Sequence, residues 1–287
     1  ARRALVSNGP IEDYITLVGE EERTIQAHGA VMSDNEGNRI GGLLVLNDVT
    51  RIKRLEKLRR NFVANVSHEL KTPVTSIKGF VETLLEGAVS SDEERERFLR
   101  IIEKQVNRLN SLINDILSLS RIEHESGKPV VTLHRQRIIG VLKEAREICL
   151  DRAQRKNTEI ELDCEKDLQV LANAPMLEQA LVNLIDNAVK FGNDDSTVRV
   201  AAREQQGAVL VSVSDQGPGI EKRHFDRLFE RFYRVDKGRS RQLGGTGLGL
   251  AIVKHIALAH KGDVEVESRP GQGTTFTIRL LSRETAE

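Results

Sequence analysis

From Thr50 onward the apolar residues fall into step. Leu55, Leu58, Phe62, Val66, Leu70, Val74, Ile77, Val81 and Leu84 recur at intervals of three and four, the period of one helical face. After Gly87 and the cap signal Ser90-Ser91-Asp92, a second stripe begins: Phe98, Ile102, Val106, Leu109, Ile113 and Ile116. Asp92 is the expected N-cap, with Glu93 and Glu94 favourable in the first turn. Two long amphipathic helices joined by a short loop predict a hairpin. One hairpin leaves much of its apolar surface wet, so two copies packing into a four-helix dimer are expected.

Ahead of this the pattern is strand-like. Ile15–Val18 and Thr24–Ala27 are short β runs, Asp34–Asn38 is a turn cluster, and Gly42–Leu46 is a candidate buried strand. Together they make a meander too small to enclose its own core. Asp48 or Thr50 would N-cap the helix that follows. Beyond the short linker Ser126–Pro129, helix and strand patterns alternate. Helices are expected over Glu144–Arg155, Pro175–Phe191 and Gly247–Ala259. Strands are expected over Thr158–Leu162, Leu168–Leu171, Thr197–Ala202, Ala208–Ser214, Asp263–Glu267 and Thr274–Leu280. The polar stretch Glu230–Gly244 is long for a structureless connection, as functional lids and disordered loops are.

Length and composition add bounds. The 287 residues allow two domains and a third piece. With 39% hydrophobic and 30% charged residues, the composition is that of a soluble globular chain bearing exposed helices. Lys and Arg number 43, as do Asp and Glu, so overall charge gives no argument for nucleic acid or an anionic membrane. The basic run Arg51, Lys53, Arg54, Lys57, Arg59 and Arg60 has no interleaved aromatics and is read as a solvated helix face. Cys149 and Cys164 fit neither a metal spacing nor a disulfide framework. No apolar run approaches the ~18 residues of a membrane span, and Arg2-Arg3 precedes no apolar segment of an export signal. A first residue Ala1 rather than Met is expected for a piece of something longer.

Three motifs bear on ligand chemistry. Asn183, Asn187 and Lys190 lie at i, i+4 and i+7, on one face of a helix. Amide oxygens suit a hard cation such as Mg²⁺ and a lysine suits phosphate; a plain polar helix face reads the same way. Asp215-Gln216-Gly217-Pro218-Gly219 directly follows a strand. Its glycines let backbone approach a flat ligand, and its carboxylate can accept from an exocyclic amine such as adenine's; alone it is an ordinary turn. Gly244-Gly245-Thr246-Gly247-Leu248-Gly249-Leu250 opens a helix, where backbone N–H groups favour phosphate. It is neither a P-loop nor a dinucleotide turn, since no Gly-Lys-Ser/Thr follows and no strand feeds it.

Of seven histidines, only His68 has a context that calls for chemistry. At about 100° per residue it sits roughly 200° from Val66 and from Leu70, away from the apolar stripe. Neutral imidazole is a good nucleophile toward phosphorus, Glu69 can take or orient the ring proton, and Pro73 should loosen the helix one turn later. An exposed surface histidine is the alternative. His255 and His260 have no partners at metal spacing and are read as surface.

Taken in order, these motifs resemble the sensor histidine kinases of two-component systems, of the phosphate-regulon type. The matching boxes are the H box Ser67–Pro73, N box Asn183–Lys190, G1 box Asp215–Gly219, F box Phe229–Arg234 and G2 box Gly245–Gly249. The resemblance implies an α+β multidomain architecture. Its parts are the end of a PAS-like sensor domain (1–50), a dimerising phosphotransfer hairpin (51–126) and an α/β sandwich ATP-binding domain of the gyrase, chaperone and kinase type (130–284). It implies ATP and Mg²⁺ as ligands, Asn187 on the metal, and Asn183 ordering the catalytic region. It further implies Lys190 on phosphate, Asp215 on adenine and Arg234 near the γ-phosphate. Gly217, Gly219, Gly245, Thr246, Gly247, Leu248 and Gly249 complete the nucleotide site, and Glu230–Gly244 forms its lid. Phe191 stands where the family more often has Tyr. His68 would be the phosphoacceptor, Glu69 its base and Thr72 a water-positioning residue for dephosphorylating a partner. The implied partners are a second copy of the chain and a response-regulator receiver domain, with no nucleic acid and no membrane contact within this stretch. The implied location is the cytoplasmic portion of a protein anchored in the inner membrane. An ATP-gated clamp on the same nucleotide fold, a non-catalytic scaffold and an anti-sigma-type serine kinase are the rivals; the last lacks a hairpin.

Overall fold

The computed structural model describes residues 11–19, 22–87, 91–126, 131–165, 167–236, 238 and 245–281. Arg2-Arg3, Ser90, Gly127–Pro129 and part of the expected lid (237 and 239–244) lie outside these residues. The chain divides into two compact units, residues 1–68 and 69–287.

The first unit is a three-stranded antiparallel meander, β1 (Ile11–Leu17), β2 (Arg23–Ser33) and β3 (Arg39–Asp48), running into helix α1 (Thr50–Leu85). Asp34 holds the β2–β3 turn by accepting from the Glu36 and Asn38 N–H groups at 3.0 and 2.7 Å. Asp48 caps α1, accepting from the Thr50 N–H at 3.0 Å, and Thr50 Oγ1 in turn accepts from the Thr24 N–H at 2.9 Å. The expectation of a buried strand at Gly42–Leu46 is corrected. Leu43 to Leu46 are all more than 40% exposed, because this single-layer sheet has no covering element among the described residues.

The second unit holds the rest of α1, helix α2 (Asp92–Ser126) and the α/β domain. Ser91, not Asp92, caps α2: its Oγ accepts from the Glu94 N–H at 3.1 Å, leaving Asp92 in the first turn. Phe80 and Phe98 close the hairpin with ring centroids 5.1 Å apart. The helix assignment runs unbroken through Pro73, which is buried, so the expected local loosening is not seen. Much of the two stripes is half-buried or exposed, with Leu55, Leu58 and Val74 each above 50%. Another face of α2, unmarked in the sequence pattern, is the buried one: Leu112, Leu119 and Ile122 are each at most 3% exposed.

The α/β domain contains a five-stranded sheet in the order β5-β7-β8-β10-β9. Its strands are β5 (Glu159–Cys164), β7 (Thr197–Gln205), β8 (Ala208–Asp215), β9 (Asp263–Arg269) and β10 (Gly273–Leu281). β4 (His134–Arg137), unforeseen in the sequence, pairs with β6 (Gln169–Ala172) in a small second sheet. Strict alternation along the large sheet buries Val198, Val200 and Ala202, then Val209, Val211 and Val213, then Phe276, Ile278 and Leu280. Helices α3 (Ile138–Arg155), α4 (Ala174–Phe191) and α5 (Gly249–Ala259) supply the opposing apolar layer. The helix expected from Glu144 begins two turns earlier, since β4 leads directly into it and Ile138, Val141 and Leu142 belong to its buried face.

His260 is a second correction. It is fully buried rather than on the surface. Its Nε2 accepts from the Asn173 N–H at 3.0 Å and its Nδ1 bonds the Ile256 carbonyl at 2.7 Å, so it ties the end of α5 to the residue that caps α4.

Candidate nucleotide-binding site

Helix α4 is set by its caps. Asn173 Oδ1 accepts from the Met176 N–H at 3.2 Å, and Pro175 stands in the first turn. At the other end Lys156 Nζ donates to the Val189, Lys190 and Gly192 carbonyls at 3.1, 3.2 and 3.0 Å. Leu184, Ile185, Ala188 and Val189 face the sheet, which turns Asn183, Asp186, Asn187 and Lys190 the other way. That polar face is one wall of a cavity of about 480 Å³.

Ten of the residues expected at the site meet around this cavity: Asn183, Asn187, Lys190, Asp215, Gly219, Arg234, Gly245, Thr246, Gly247 and Gly249. Leu248 and Gly217 are not on its wall. Leu248 is fully buried and its N–H donates to Thr246 Oγ1 at 3.2 Å. Gly217 lies behind Asp215, donating its N–H to Oδ1 at 2.7 Å. Ile220, Leu228 and Phe276 give the cavity an apolar part suited to a flat base.

Two glycines are required by geometry. Gly219 has φ +70°, and a Cβ there would stand 2.1 Å from the Arg269 carbonyl oxygen. Gly247 has φ +76°, and its Cβ would meet Phe232 Cα at 2.9 Å. The Phe232 N–H donates to the Gly247 carbonyl at 2.8 Å, so the first residues of the expected lid are clipped to the glycine-rich turn that leads into α5.

The electrostatics pair opposite charges around this cavity. Lys190 and Arg152 each lie 2.5 Å from an oxygen of Asp186. Burial pushes the Asp215 carboxyl above its ordinary range, against hydrogen bonds from the Gly217 and Thr274 backbone. The Asn183 side-chain nitrogen is buried with no hydrogen-bond partner among the described residues, an orphan donor on a cavity wall. The Cys149 thiol, buried behind α4, is pushed up to about 12 by burial and is inert.

His68 and Thr72 are exposed on α1. Glu69 Oε2 accepts from Arg108 Nη2 of α2 at 2.8 Å and from Arg234 Nη2 at 3.1 Å. Helix α2 also contributes Ser111, Asn114 and Asp115 to the cavity wall, and Thr246 Oγ1 donates to Asp115 Oδ2 at 2.6 Å. Sequence reasoning missed Arg108, Ser111, Asn114, Asp115, Arg152, Lys156 and Asp186. Only Asp186 carried a local signal, four residues before Lys190 on the same helix face.

A helix presenting two amides and a lysine, a buried carboxylate beside an apolar slot, and a glycine-rich helix start define an adenine-nucleotide domain. Residues 172–284 match the family of histidine kinase-, DNA gyrase B- and HSP90-like ATPases, and residues 58–125 match the His Kinase A (phospho-acceptor) domain. The chain is 40% identical over 256 residues to the phosphate regulon sensor protein PhoR of Pseudomonas aeruginosa, covering 88% of this chain and 56% of that protein. The full-length structure of ShkA in complex with AMPPNP is 32% identical, with a TM-score of 0.55 over 77% of this chain and 45% of that one. Histidine kinase ThkA, in complex with response regulator protein TrrA, shares the fold at 20% identity, with a TM-score of 0.63 over 96% of this chain and 79% of that one. The chain belongs to the sensor histidine kinase family. It spans little more than half the length of the PhoR relative.

Proposed function

We propose that this chain is an autokinase that transfers the γ-phosphoryl group of ATP to His68 and then to an aspartate of a response-regulator receiver domain. The observation that carries the reading is the convergence of four separated motifs on one cavity. Asp215 accepts from the adenine amine, Lys190 and Arg234 engage the phosphates, and the backbone from Gly245 to Gly249 caps them at the start of α5. The amide oxygen of Asn187 suits Mg²⁺, which when bound would offset charge on the phosphate oxygens, and Asn183 orders the catalytic region. A ring nitrogen of His68 attacks the γ-phosphorus as the bond to the ADP oxygen breaks, and the proton on the other ring nitrogen passes to Glu69. Arg234 must first release Glu69, because the Nη2 that would engage a phosphate is the one bonded to the Glu69 carboxylate. The protein's part is mainly positioning and charge stabilisation.

Thr72, one turn beyond His68, orients water for dephosphorylating the same regulator. The exposed stripes of α1 and α2 pair with a second copy in a four-helix dimer. The segment divisions 1–50, 51–126 and 130–284 are the sensor remnant, the phosphotransfer hairpin and the catalytic domain. We place the chain on the cytoplasmic side of an inner-membrane sensor; no helix among the described residues is long and apolar enough to cross a membrane. Incubation with Mg²⁺ and γ-labelled ATP should give acid-labile label on His68. The His68→Gln variant should bind nucleotide and take no label; undiminished labelling excludes His68 as the acceptor.

A further inference from the structure

Two carboxylates of the helical hairpin stand on groups of the cavity wall. Asp115 of α2 accepts from the Thr246 hydroxyl at 2.6 Å, and Glu69 of α1 accepts from Arg234 Nη2 at 3.1 Å. The same Nη2 donates to the Thr246 carbonyl at 2.9 Å, so the two contacts form one connected patch. The patch is shielded: the Arg234 and Glu69 side chains keep 7% and 15% exposure. Leu112, Asp115, Leu119 and Ile122 follow one another at steps of three and four, so the apolar residues buried on α2 lie on the same face as Asp115. Burial pushes the Asp115 carboxyl above its ordinary range, even with the Thr246 bond and nearby Lys190 favouring its charge.

A carboxylate and a nucleotide phosphate are chemically alike here, since both are anions that accept hydrogen bonds. Thr246 lies three residues before α5 and bonds the N–H of its N-cap Leu248, near the helix end where an anion is favoured, and Arg234 is the buried cation beside it. The Thr246 hydroxyl has one hydrogen to donate and gives it to Asp115, and Arg234 Nη2 is already shared between Glu69 and the Thr246 carbonyl, so the hairpin's carboxylates stand where a phosphate chain would bond.

We propose that Asp115, with Glu69, is an internal anion that competes with nucleotide phosphates for Thr246 and Arg234, so that this one docked arrangement, distinct from the one that brings His68 to the γ-phosphate, and phosphate binding exclude each other. The proposal rests on the nucleotide-site reading above. Docked, the hairpin shields these two groups; bound ATP displaces Asp115 from Thr246 and frees Glu69 from Arg234. The coupling is reciprocal, so phosphate binding loosens the α2 seam as much as docking weakens phosphate binding.

The test compares calorimetric affinities of the whole chain for Mg·ATP, Mg·ADP and adenosine with those of Asp115→Ala and Asp115→Asn. The expected result is tighter Mg·ATP and Mg·ADP binding, on the order of fivefold to tenfold in Asp115→Ala, with adenosine unchanged. Asp115→Asn keeps the side-chain volume and removes the charge. It should tighten phosphate binding too, and it carries the test if the alanine variant does not fold. Mg·ATP at saturation should also speed amide exchange along Leu112–Leu119 in the unaltered chain. Unchanged Mg·ATP affinity in the variants, an equal gain for adenosine, or unchanged exchange overturns the proposal while leaving the nucleotide site intact. A chain that binds neither Mg·ATP nor adenosine, with or without Asp115, overturns both.

Discussion

Replacing His260 should destabilise the catalytic domain in a way that fades in acid. The ring is fully buried, and its two nitrogens have fixed roles. Nε2 accepts from the Asn173 N–H, so the ring proton must sit on Nδ1, where it donates to the Ile256 carbonyl. His260→Ala leaves the buried Asn173 N–H unpaired, at about 1–3 kcal/mol, removes one of the two bonds to the Ile256 carbonyl, which keeps the residue-260 N–H, and opens a cavity besides; a total of roughly 2–4 kcal/mol follows. Protonation would turn Nε2 from acceptor into donor facing another donor, and burial already holds the ring below its ordinary 6.5. The unfolded chain therefore binds a proton below pH 6.5 that the folded chain refuses, and folding stability falls as pH drops through that value. The slope can reach about 1.4 kcal/mol per pH unit. Asp115 and Asp215, both raised by burial, act in the opposite sense at lower pH and cancel in the difference between variant and parent. Urea unfolding followed by circular dichroism at pH 7.5, 6.5 and 5.5 checks this. A variant penalty under 1 kcal/mol, or one that stays constant across that range, refutes the reasoning.

Three further outcomes are expected. Adenine-nucleotide affinity should decline in acid as Asp215 gains its proton, with the midpoint above the ordinary 3.8, and Asp215→Asn should abolish that pH dependence in a fluorescence titration. Gly247→Ala should cost about 1–2 kcal/mol by thermal unfolding, since φ +76° is left-handed and the added methyl meets Phe232, and it should weaken ATP binding at the same time. Lys156→Met should cost about 1–2 kcal/mol, the low end for a charged donor because the side chain keeps 27% exposure; Lys156→Arg should recover most of the loss.

Much of this protein is written locally. The three-and-four spacing of Leu55 to Leu84 and of Phe98 to Ile116 marks two helices because a helix repeats every 3.6 residues wherever it is placed. Asn183, Asn187 and Lys190 share a face for the same reason, and the alternation at Val209, Val211 and Val213 marks a sheet with one buried side. The order of the motifs along the chain is enough to indicate the family. What the sequence could not carry were contacts between residues far apart along the chain. Asp115 is 131 positions from Thr246, and Glu69 is 165 from Arg234. Nothing within a turn of either carboxylate announces its partner. His260 looked like a surface residue because its partners, one turn back and 87 residues away, are backbone groups that any sequence possesses. The second buried face of α2 was hidden because an apolar residue records that it prefers to be covered, and not by what. The sequence alone determined the elements and the chemical kinds at the site. Only tertiary packing decided which anion meets which cation, because a charge or a donor is satisfied by whatever the fold brings within about 3 Å.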